Sequence, residues 1–305
     1  MSKKSESILV FLENKPFLGR QITQIPFFNE LKLIHPGKEI ICIAPDDHSA
    51  YYLKELGYID HLISYNSFKK NPLRLYKLVK KLRNISPAHI FQLRKESLRC
   101  NILAWMIGKS RRGFESKVSF LLHNKYSFNT SEYISFNYLK LLNKKEINLI
   151  NESQKKEYCL IIPVAGRFEK IYHIQKYLKI ADIMSRSCPV SFIIQSQFQD
   201  IKRALASYSD QYTIFCDLDI QALQSAILKA KCVISNDCGP VHFAHIYDIP
   251  RIVLFKDNGN NIGGPVDLWF HQTKSSRKIV SKTGNIDDIT PDEILQKYNE
   301  LELVI

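Results

Sequence analysis

The residues of this chain best suited to chemistry form a turn, NDCGP, at positions 236–240. Gly239 permits a close turn, and Pro240 fits the first position of a helix, where no backbone N–H partner is needed. The first N–H groups of a helix are free and its dipole is positive there, so this turn could bind an anion, most often a phosphate. A plain turn without a ligand is the alternative, because the glycine count falls short of any dinucleotide-binding fingerprint.

The segments on either side of this turn would position it. Residues 231–235 (KCVIS) form a short apolar run that predicts a strand ending at the turn. Residues 241–247 give about two helical turns before Pro250, which pushes the preceding residue out of the helical region. A second strand, 251–255 (RIVLF), follows at once. The stretch therefore predicts strand, turn, short helix and strand.

The same alternation of strands and helices runs through both halves of the chain. Further strands are predicted at 7–12, 38–44, 89–93, 158–164, 191–195, 212–215 and 277–281, with one more short strand ending near residue 65. The rhythm degrades into polar sequence between about 127 and 157, which we interpret as an inter-domain crossing. The prediction is an α/β protein of two Rossmann-like parallel-sheet domains, with a cleft between them and ligands at the carboxyl ends of the strands. The predicted domains are 1–150, 151–289 and a C-terminal helix, 290–305, that could pack back towards the N-terminal domain.

Composition limits the possible functions. The chain has 305 residues, 45% of them hydrophobic, which excludes a disordered protein. Its formal net charge of +13 indicates an anionic partner: nucleic acid, an acidic membrane face or a phosphorylated substrate. Nucleic acid is the least favoured, since no helix-turn-helix, RNP or zinc spacing occurs. Seven scattered cysteines without a C-x-x-C pair are typical of reduced, mostly buried thiols in the cytosol. The N-terminus carries only a five-residue apolar run, which predicts a first strand and not a signal peptide or membrane span.

A strongly basic helix is predicted at residues 69–84 (KKNPLRLYKLVKKLRN). Its leucines could face a sheet while its Lys and Arg side chains face outward. A solvated basic face and a lipid-contacting face are both compatible with this pattern.

The order of several motifs resembles the heptosyltransferases of glycosyltransferase family 9. The strongest match is residues 236–255 (NDCGPVHFAHIYDIPRIVLF), similar to the family signature D-S/T-G-P-x-H-x-A-A-A. Residues 163–184 are similar to a second segment, although Tyr172-His173 stands where Trp-Pro is usual. Weaker parallels are Phe17-Leu18-Gly19, Ile25-Pro26, Gly57-Tyr58-Ile59-Asp60 and Gly263-Gly264-Pro265.

This resemblance implies a GT-B fold, a nucleotide-sugar donor in the C-terminal domain with ADP-heptose as the default, and no metal or other cofactor. Lys170, matched to the family's lysine, would hold the diphosphate, with Arg167 as a second cation. Cys238, Gly239 and Val241 would form the helix entrance, where the N–H groups of Gly239 and Val241 can face phosphate. Asp237 would cap the helix or hold sugar hydroxyls. His242 would contact phosphate or ribose, or be a packed core histidine.

The chain departs from the family in its first loop. An inverting transfer needs a carboxylate to accept the acceptor's proton, and the family's loop usually supplies an Asp. Arg20 stands at that position and cannot be a base, because it stays protonated. Glu13, earlier in the loop, is the nearest substitute, and Asp46 or Asp47 after the second strand are alternatives. Arg20 could instead bind an acidic acceptor or donor.

The prediction is an inverting, metal-independent glycosyltransferase that moves a sugar, by default heptose, to a lipopolysaccharide core or related glycan. It would work as a peripheral protein on the anionic inner face of the cytoplasmic membrane. Two alternatives follow from Arg20: a transferase for another nucleotide sugar, and a non-catalytic nucleotide-sugar or glycan binding protein.

Overall fold

A computed structural model of the chain describes residues 7–13, 16–66, 71–95, 97–108, 110–147, 155–257 and 264–302. The chain divides into two compact units. The first runs to Asn129 and includes 134–148, whereas the second contains 130–133 and the chain from Leu149 onward. Each unit contains a six-stranded sheet with helices in its crossovers, so the predicted α/β class with two parallel sheets is confirmed.

The first sheet has the strand order β3-β2-β1-β4-β5-β6, and all of its strand pairs are parallel. Its strands are β1 (Ile8–Phe11), β2 (Ile40–Ala44), β3 (His61–Ser64), β4 (His89–Gln92), β5 (Arg111–Phe114) and β6 (Asn124–Tyr126). Its helices are α1 (Leu18–Ile22), α2 (Ile25–Ile34), α3 (Tyr51–Glu55), α4 (Pro72–Ile85), α5 (Leu98–Ile107) and α6 (Ile134–Lys140). Every residue of β1 is buried, as expected for a central strand of a parallel sheet covered on both faces.

The second sheet has the order β12-β11-β10-β7-β8-β9, again all parallel. Its strands are β7 (Tyr158–Ile162), β8 (Val190–Ile194), β9 (Thr213–Cys216), β10 (Ala230–Asn236), β11 (Arg251–Phe255) and β12 (Ser276–Val280). Its helices are α7 (Ile174–Met184), α8 (Gln199–Ala206), α9 (Ile220–Leu228), α10 (Val241–Ile246), α11 (Val266–Trp269) and α12 (Pro291–Glu302). Strand β10 lies at its centre, between β7 and β11.

Two strands of the first sheet have no counterpart in the sequence prediction. β5 (RRGF) and β6 (NKY) contain no apolar run, so the periodicity of their side chains gives no strand signal. A side chain at Gly113 in β5 would crowd its neighbours, because a Cβ there would lie 2.8 Å from Leu122 Cδ1 and 3.0 Å from Gln92 Cβ. The chain between β1 and β2 forms two helices, α1 and α2, since Pro26 lacks the N–H that would continue the first helix and lies in the first turn of the second.

The final helix is capped as its sequence predicts. The Thr290 N–H donates to Glu293 Oε2 at 2.8 Å, and the Glu293 N–H donates to Thr290 Oγ1 at 3.2 Å, which forms a capping box. The helix packs against α7, β11 and β12 of its own unit. Its packing towards the N-terminal domain stays a prediction, and Gly263 of the predicted Gly-Gly-Pro loop lies outside the described residues.

The cysteines and the helix lengths bear on two further predictions. All seven cysteines are free, and only Cys216 is exposed, so the prediction of mostly buried thiols is confirmed. Among the described residues, none of the helices has the length and apolar content needed to cross a membrane.

A buried arginine organises the polar core of the second unit. Arg251, at the start of β11, is fully buried. Its Nε donates to His245 Nδ1 at 2.7 Å, its Nη1 to the Ile249 carbonyl at 3.0 Å, and its Nη2 to the His271 carbonyl at 2.8 Å. Asp248 balances the charge at 3.3 Å. Burial lowers the pKa of Arg251 to about 10, so the guanidinium stays protonated at neutral pH.

Burial and the charge of this arginine keep two neighbouring histidines neutral. Burial, and then the charge of Arg251, lower the pKa of His245 well below its usual value and that of His271 to about 4. Because Nδ1 of His245 accepts from Arg251, its proton must be on Nε2. His271 stacks on Tyr133 with ring centroids 5.5 Å apart.

We expect the stability of the protein to fall on acidification through these histidines. In the unfolded chain an imidazole takes up a proton near pH 6.5, whereas the folded state resists protonation, so stabilisation is complete above that pH and is lost as the pH falls towards about 4. For His271 the loss of unfolding free energy is roughly 2 kcal/mol at about pH 5. His271→Gln cannot be protonated, so urea denaturation should give a smaller difference between neutral and acidic pH for this variant. An equal difference in both proteins would contradict the assignment.

Candidate functional site

The candidate site of the second unit lies at the carboxyl end of its central strand, β10. Asn236, the last residue of β10, is fully buried. Its Oδ1 accepts hydrogen bonds from the Tyr172 N–H at 3.2 Å and from the Tyr177 hydroxyl at 2.9 Å. These contacts fix the segment after β7 beside the end of β10, and Tyr172 is further held by its hydroxyl, which donates to the Ile289 carbonyl at 2.8 Å.

The segment after β7 brings Lys170 to Asp237. The Lys170 ammonium donates to Asp237 Oδ2, and 34% of the lysine side chain remains exposed. Helix α10 has no side-chain cap, so the prediction that Asp237 caps this helix is wrong. The carboxylate of Asp237 binds Lys170, because the turn at 237–240 leaves this carboxylate facing the lysine and not the first turn of the helix.

The helix entrance is built around a buried thiol. The Sγ of Cys238 lies 3.1 Å from Ser235 Oγ and accepts a hydrogen bond from the Val241 N–H. Burial raises the pKa of Cys238 to about 11, so it stays a neutral thiol at neutral pH. The Val241 N–H, predicted to face phosphate, is therefore directed at sulfur. Gly239 is half-buried in the same turn.

The second predicted cation, Arg167, lies in the same segment as Lys170. Arg167 immediately precedes the 3-10 turn Phe168–Lys170, and its guanidinium is 3.7 Å from Glu169 Oε1. The side chains of this pair are exposed, so the ion pair is weak and can exchange for another anion. The turn thus presents two cations on an accessible surface.

His242 is a packed core histidine. It is 3% exposed, and its Nδ1 shares a hydrogen bond with the Tyr133 hydroxyl at 3.1 Å. Its ring packs against those of Tyr133, His245 and Trp269. All six residues of α10 are buried, which leaves this histidine facing the core. Of the two interpretations of His242 from the sequence, the structure supports the packed one.

The first unit joins the two residues for which the sequence predicts separate roles. Arg20 Nη1 donates to Glu13 Oε1 at 2.7 Å, and the Tyr138 hydroxyl donates to Glu13 Oε2 at 2.9 Å. Arg20 also hydrogen-bonds to Tyr138, which closes a triangle of three polar side chains. Burial, and then the charge of Glu13, raise the pKa of Tyr138, so its hydroxyl stays protonated and acts as a donor. We call these three residues the Glu13 triad.

The two alternative bases have different environments. Asp46 Oδ1 accepts from the Ser49 N–H at 2.9 Å and from Ser49 Oγ at 2.7 Å, so it caps the 3-10 turn Asp47–Ala50. Asp47 is exposed and lines a cavity of about 660 Å³ that is bounded by β3, α3 and α4. Asp46 is therefore a structural cap.

Sequence reasoning missed the residues that hold these sites in place. Tyr138 lies 125 residues from Glu13, and Tyr177 lies 59 residues from Asn236, so no local pattern links either pair. Asn236 directly precedes Asp237 and follows the predicted strand 231–235. This position was the feature of the sequence that could have indicated its structural role. Within the described parts of the chain, no group of three or more His, Cys, Asp or Glu residues could hold a metal ion.

Comparison with family models identifies the family of this chain. The family model of glycosyltransferase family 9 (heptosyltransferase) matches residues 92–276. Among solved structures, Escherichia coli heptosyltransferase WaaC with ADP has a TM-score of 0.71 at 12% identity, covering 97% of this chain and 99% of that one. A family 9 glycosyltransferase from Veillonella parvula gives 0.69 at 16% identity, covering 99% of each chain.

A third structure, E. coli ADP-heptose lipopolysaccharide heptosyltransferase II, gives a TM-score of 0.66 at 16% identity, covering 97% of this chain and 98% of that one. No curated protein matches the chain in a sequence search. The structural matches extend over nearly the full length and support the GT-B fold. Because the family model matches more than half of its residues, the chain belongs to glycosyltransferase family 9.

Proposed function

We propose that the protein is an inverting transferase that moves a sugar, by default heptose from ADP-heptose, to a lipopolysaccharide core or related glycan. It would act as a peripheral protein at the inner face of the cytoplasmic membrane. The observation that carries the proposal is the pairing of Lys170 with Asp237 at the carboxyl end of β10, in a chain of family 9. The related WaaC, solved with ADP and with ADP-2-deoxy-2-fluoro heptose, supports the choice of donor.

Donor binding would rest mainly on the cations of the turn after β7. Negative charge grows on the diphosphate as the glycosidic bond breaks, so a fixed cation stabilises the transition state. An ammonium has three donors, and Lys170 can therefore hold Asp237 and phosphate oxygens at once. Arg167 would supply the second cation, with the Gly239 N–H at the helix entrance. Asp237 would both orient the lysine and hold sugar hydroxyls.

The change Lys170→Ala tests the donor site. Binding of a nucleotide diphosphate should weaken by about 1.5 to 3 kcal/mol, the scale of a hydrogen bond to a charged group. Isothermal calorimetry with ADP measures the effect. Lys179→Ala is the matched control, because this exposed lysine lies on α7, outside the turn that carries Lys170. Unchanged affinity in Lys170→Ala would remove the lysine from the site.

Proton removal from the acceptor is assigned to Glu13. Each of its carboxylate oxygens receives one hydrogen bond in the Glu13 triad, and a carboxylate has about four lone-pair sites, so capacity to accept a proton remains. Arg20 would orient this carboxylate through Nη1 and bind an acidic acceptor with other donors of its planar fork. Tyr138 would fix the second oxygen from α6.

We expect Glu13→Gln to lower the turnover rate by roughly 10² or more and to leave donor affinity nearly unchanged, since general-base catalysis contributes on that order. Arg20→Ala should mainly raise the Michaelis constant for an acidic acceptor, because a permanent cation can bind but not abstract a proton. Steady-state kinetics with a lipid-linked acceptor separate the two effects. Asp47→Asn is the control for the competing base: a loss of rate there, with Glu13→Gln fully active, would move the role to Asp47.

A second candidate function is a nucleotide-sugar binding protein without transferase activity. Arg20 stands at the position of the family's usual carboxylate. Its ion pair with Glu13, the nearest alternative base, is the observation that favours this second function. A panel of nucleotide sugars tested for both binding and turnover distinguishes the two functions. Binding of a donor without turnover on any lipid-linked acceptor would support the second one.

A further inference from the structure

The first unit has an exposed surface that combines apolar and basic side chains. Helices α4 and α5 pack against each other, and α5 packs against the 3-10 turn Ser119–Leu121. Among the described residues, six of the twelve exposed large apolar side chains lie on these three adjacent elements: Leu73, Tyr76, Leu98, Ile102, Trp105 and Phe120. This concentration is unusual, because single exposed apolar residues are normal but contiguous ones mark interaction sites.

The inner faces of the two helices account for their packing and leave these residues unused. Leu78, Val79 and Leu82 of α4 lie in one buried cluster with Leu103 and Ile107 of α5. Leu98, Ile102 and Trp105 follow one another at spacings of four and three, so they form a stripe on the outward side of α5. On α4, Leu73 and Tyr76 are exposed in the first turns. The outward sides of α4 and α5 thus expose apolar side chains to water.

The charge of the same region has a single sign. The sequences of α4 and α5 contain six Lys or Arg residues and no Asp or Glu. Residues 72–107 contain eight Lys or Arg and one Glu, more than half of the net charge of +13 in under an eighth of the chain. The carboxylates of Glu39, Asp47, Glu55 and Asp60 line a separate cavity together with Lys81 and Ile85 of α4. The surface shared by α4 and α5 is therefore basic.

The topology places three of these apolar residues at one edge of the sheet. Helix α4 follows β3 and leads to β4, and α5 follows β4 and leads to its neighbour β5. Because the strands of this sheet are parallel, both helices begin at its carboxyl edge. Leu73, Tyr76 and Leu98 lie in the first turns of their helices and are therefore at that edge. An aromatic and aliphatic rim beside Lys and Arg matches the depth profile of a bilayer interface, where Trp and Tyr occupy the headgroup level.

We infer that one surface of the first unit, which we call the α4–α5 surface, binds an anionic lipid bilayer. It is defined by Leu73, Tyr76, Lys77, Lys80, Leu98, Arg99, Ile102, Trp105 and Phe120. The apolar side chains insert among the headgroups while the cations bind lipid phosphates. The inference deepens the proposed function by assigning the membrane contact to one surface. It rests on the proposed function in one respect: that function is the reason for the protein to be at a membrane.

Vesicle sedimentation tests this surface without donor or acceptor sugar. The chain should sediment with vesicles of equal parts phosphatidylglycerol and phosphatidylcholine, and not with phosphatidylcholine alone. Salt at about 1 M should release it, because the Debye length falls to about 3 Å. The assay does not measure glycosyl transfer. A protein without transferase activity could therefore still sediment with the vesicles, and a protein with transferase activity could fail to do so.

Two matched pairs of variants assign the effect to the surface. Leu73→Ser with Trp105→Ser should reduce vesicle partitioning by on the order of tenfold, whereas Leu33→Ser should leave it unchanged. Leu73 and Leu33 are 74% and 69% exposed, so removing either should not disturb folding. Lys77→Gln with Lys80→Gln should reduce partitioning by on the order of 30-fold, since each lysine near an anionic surface contributes about 1 kcal/mol. The control, Lys179→Gln with Lys202→Gln, removes the same charge from the second unit.

Three results would overturn the inference. One is equal sedimentation with neutral and anionic vesicles at low salt. Another is equal loss in the surface variants and their controls. The third is a dimer, detected by light scattering without lipid, that dissociates in Trp105→Ser, since a second copy of the chain would then cover the surface. Quenching of Trp105 fluorescence by brominated lipid, with loss of quenching in Trp105→Phe, would support bilayer insertion directly.

Discussion

The two hydrogen bonds accepted by the buried amide of Asn236 are the contacts on which the candidate donor site depends. A buried amide oxygen without a partner is unfavourable by about 1 to 3 kcal/mol, so Tyr172 and Tyr177 must stay in place. Tyr172 is two residues from Lys170, and Asp237 is next to Asn236. The strand end therefore contacts the turn after β7 twice, once through a neutral amide and once through an ion pair. The hydrogen bonds to Asn236 determine the position of the turn, and the ion pair with Asp237 holds the ammonium group of Lys170.

A similar constraint acts in the first unit, where a partly buried carboxylate needs partners. Glu13 obtains them from Arg20 in α1 and from Tyr138 in α6. An arginine introduced alone beside β1 would be an uncompensated cation in a partly buried loop, which is unfavourable. The Glu13 triad removes that difficulty because the carboxylate, which follows β1, and the cation, in α1, form an ion pair at 2.7 Å. Replacement of the family's usual Asp by Arg20 is thus compatible with a stable loop that still contains a carboxylate.

The sequence was sufficient for the fold class but not for every strand or for the side-chain contacts. Runs such as RIVLF predict β11 without error, because a buried parallel strand is apolar throughout. β5 and β6 were missed, since RRGF becomes a strand only through pairing with β4, and NKY only through pairing with β5. The family motif indicated Lys170 and Asp237, but not that they pair. Residues distant in the sequence decide such contacts: Tyr138 for Glu13, and Tyr133 for His242.

The first turn of α10 explains why side-chain cations must dominate any diphosphate site there. The Val241 N–H donates to the Cys238 sulfur, and the N–H groups of His242 and Phe243 donate to the carbonyls of Gly239 and Pro240 at 3.2 and 3.0 Å. The Asp237 N–H donates to the Leu254 carbonyl and Pro240 has no N–H, so the N–H groups of Cys238 and Gly239 are the ones in this turn that could face a phosphate. A helix of six residues also has only a small dipole. Lys170 and Arg167 must then supply most of the attraction for phosphate, and because both are partly exposed, that attraction should weaken as salt is added.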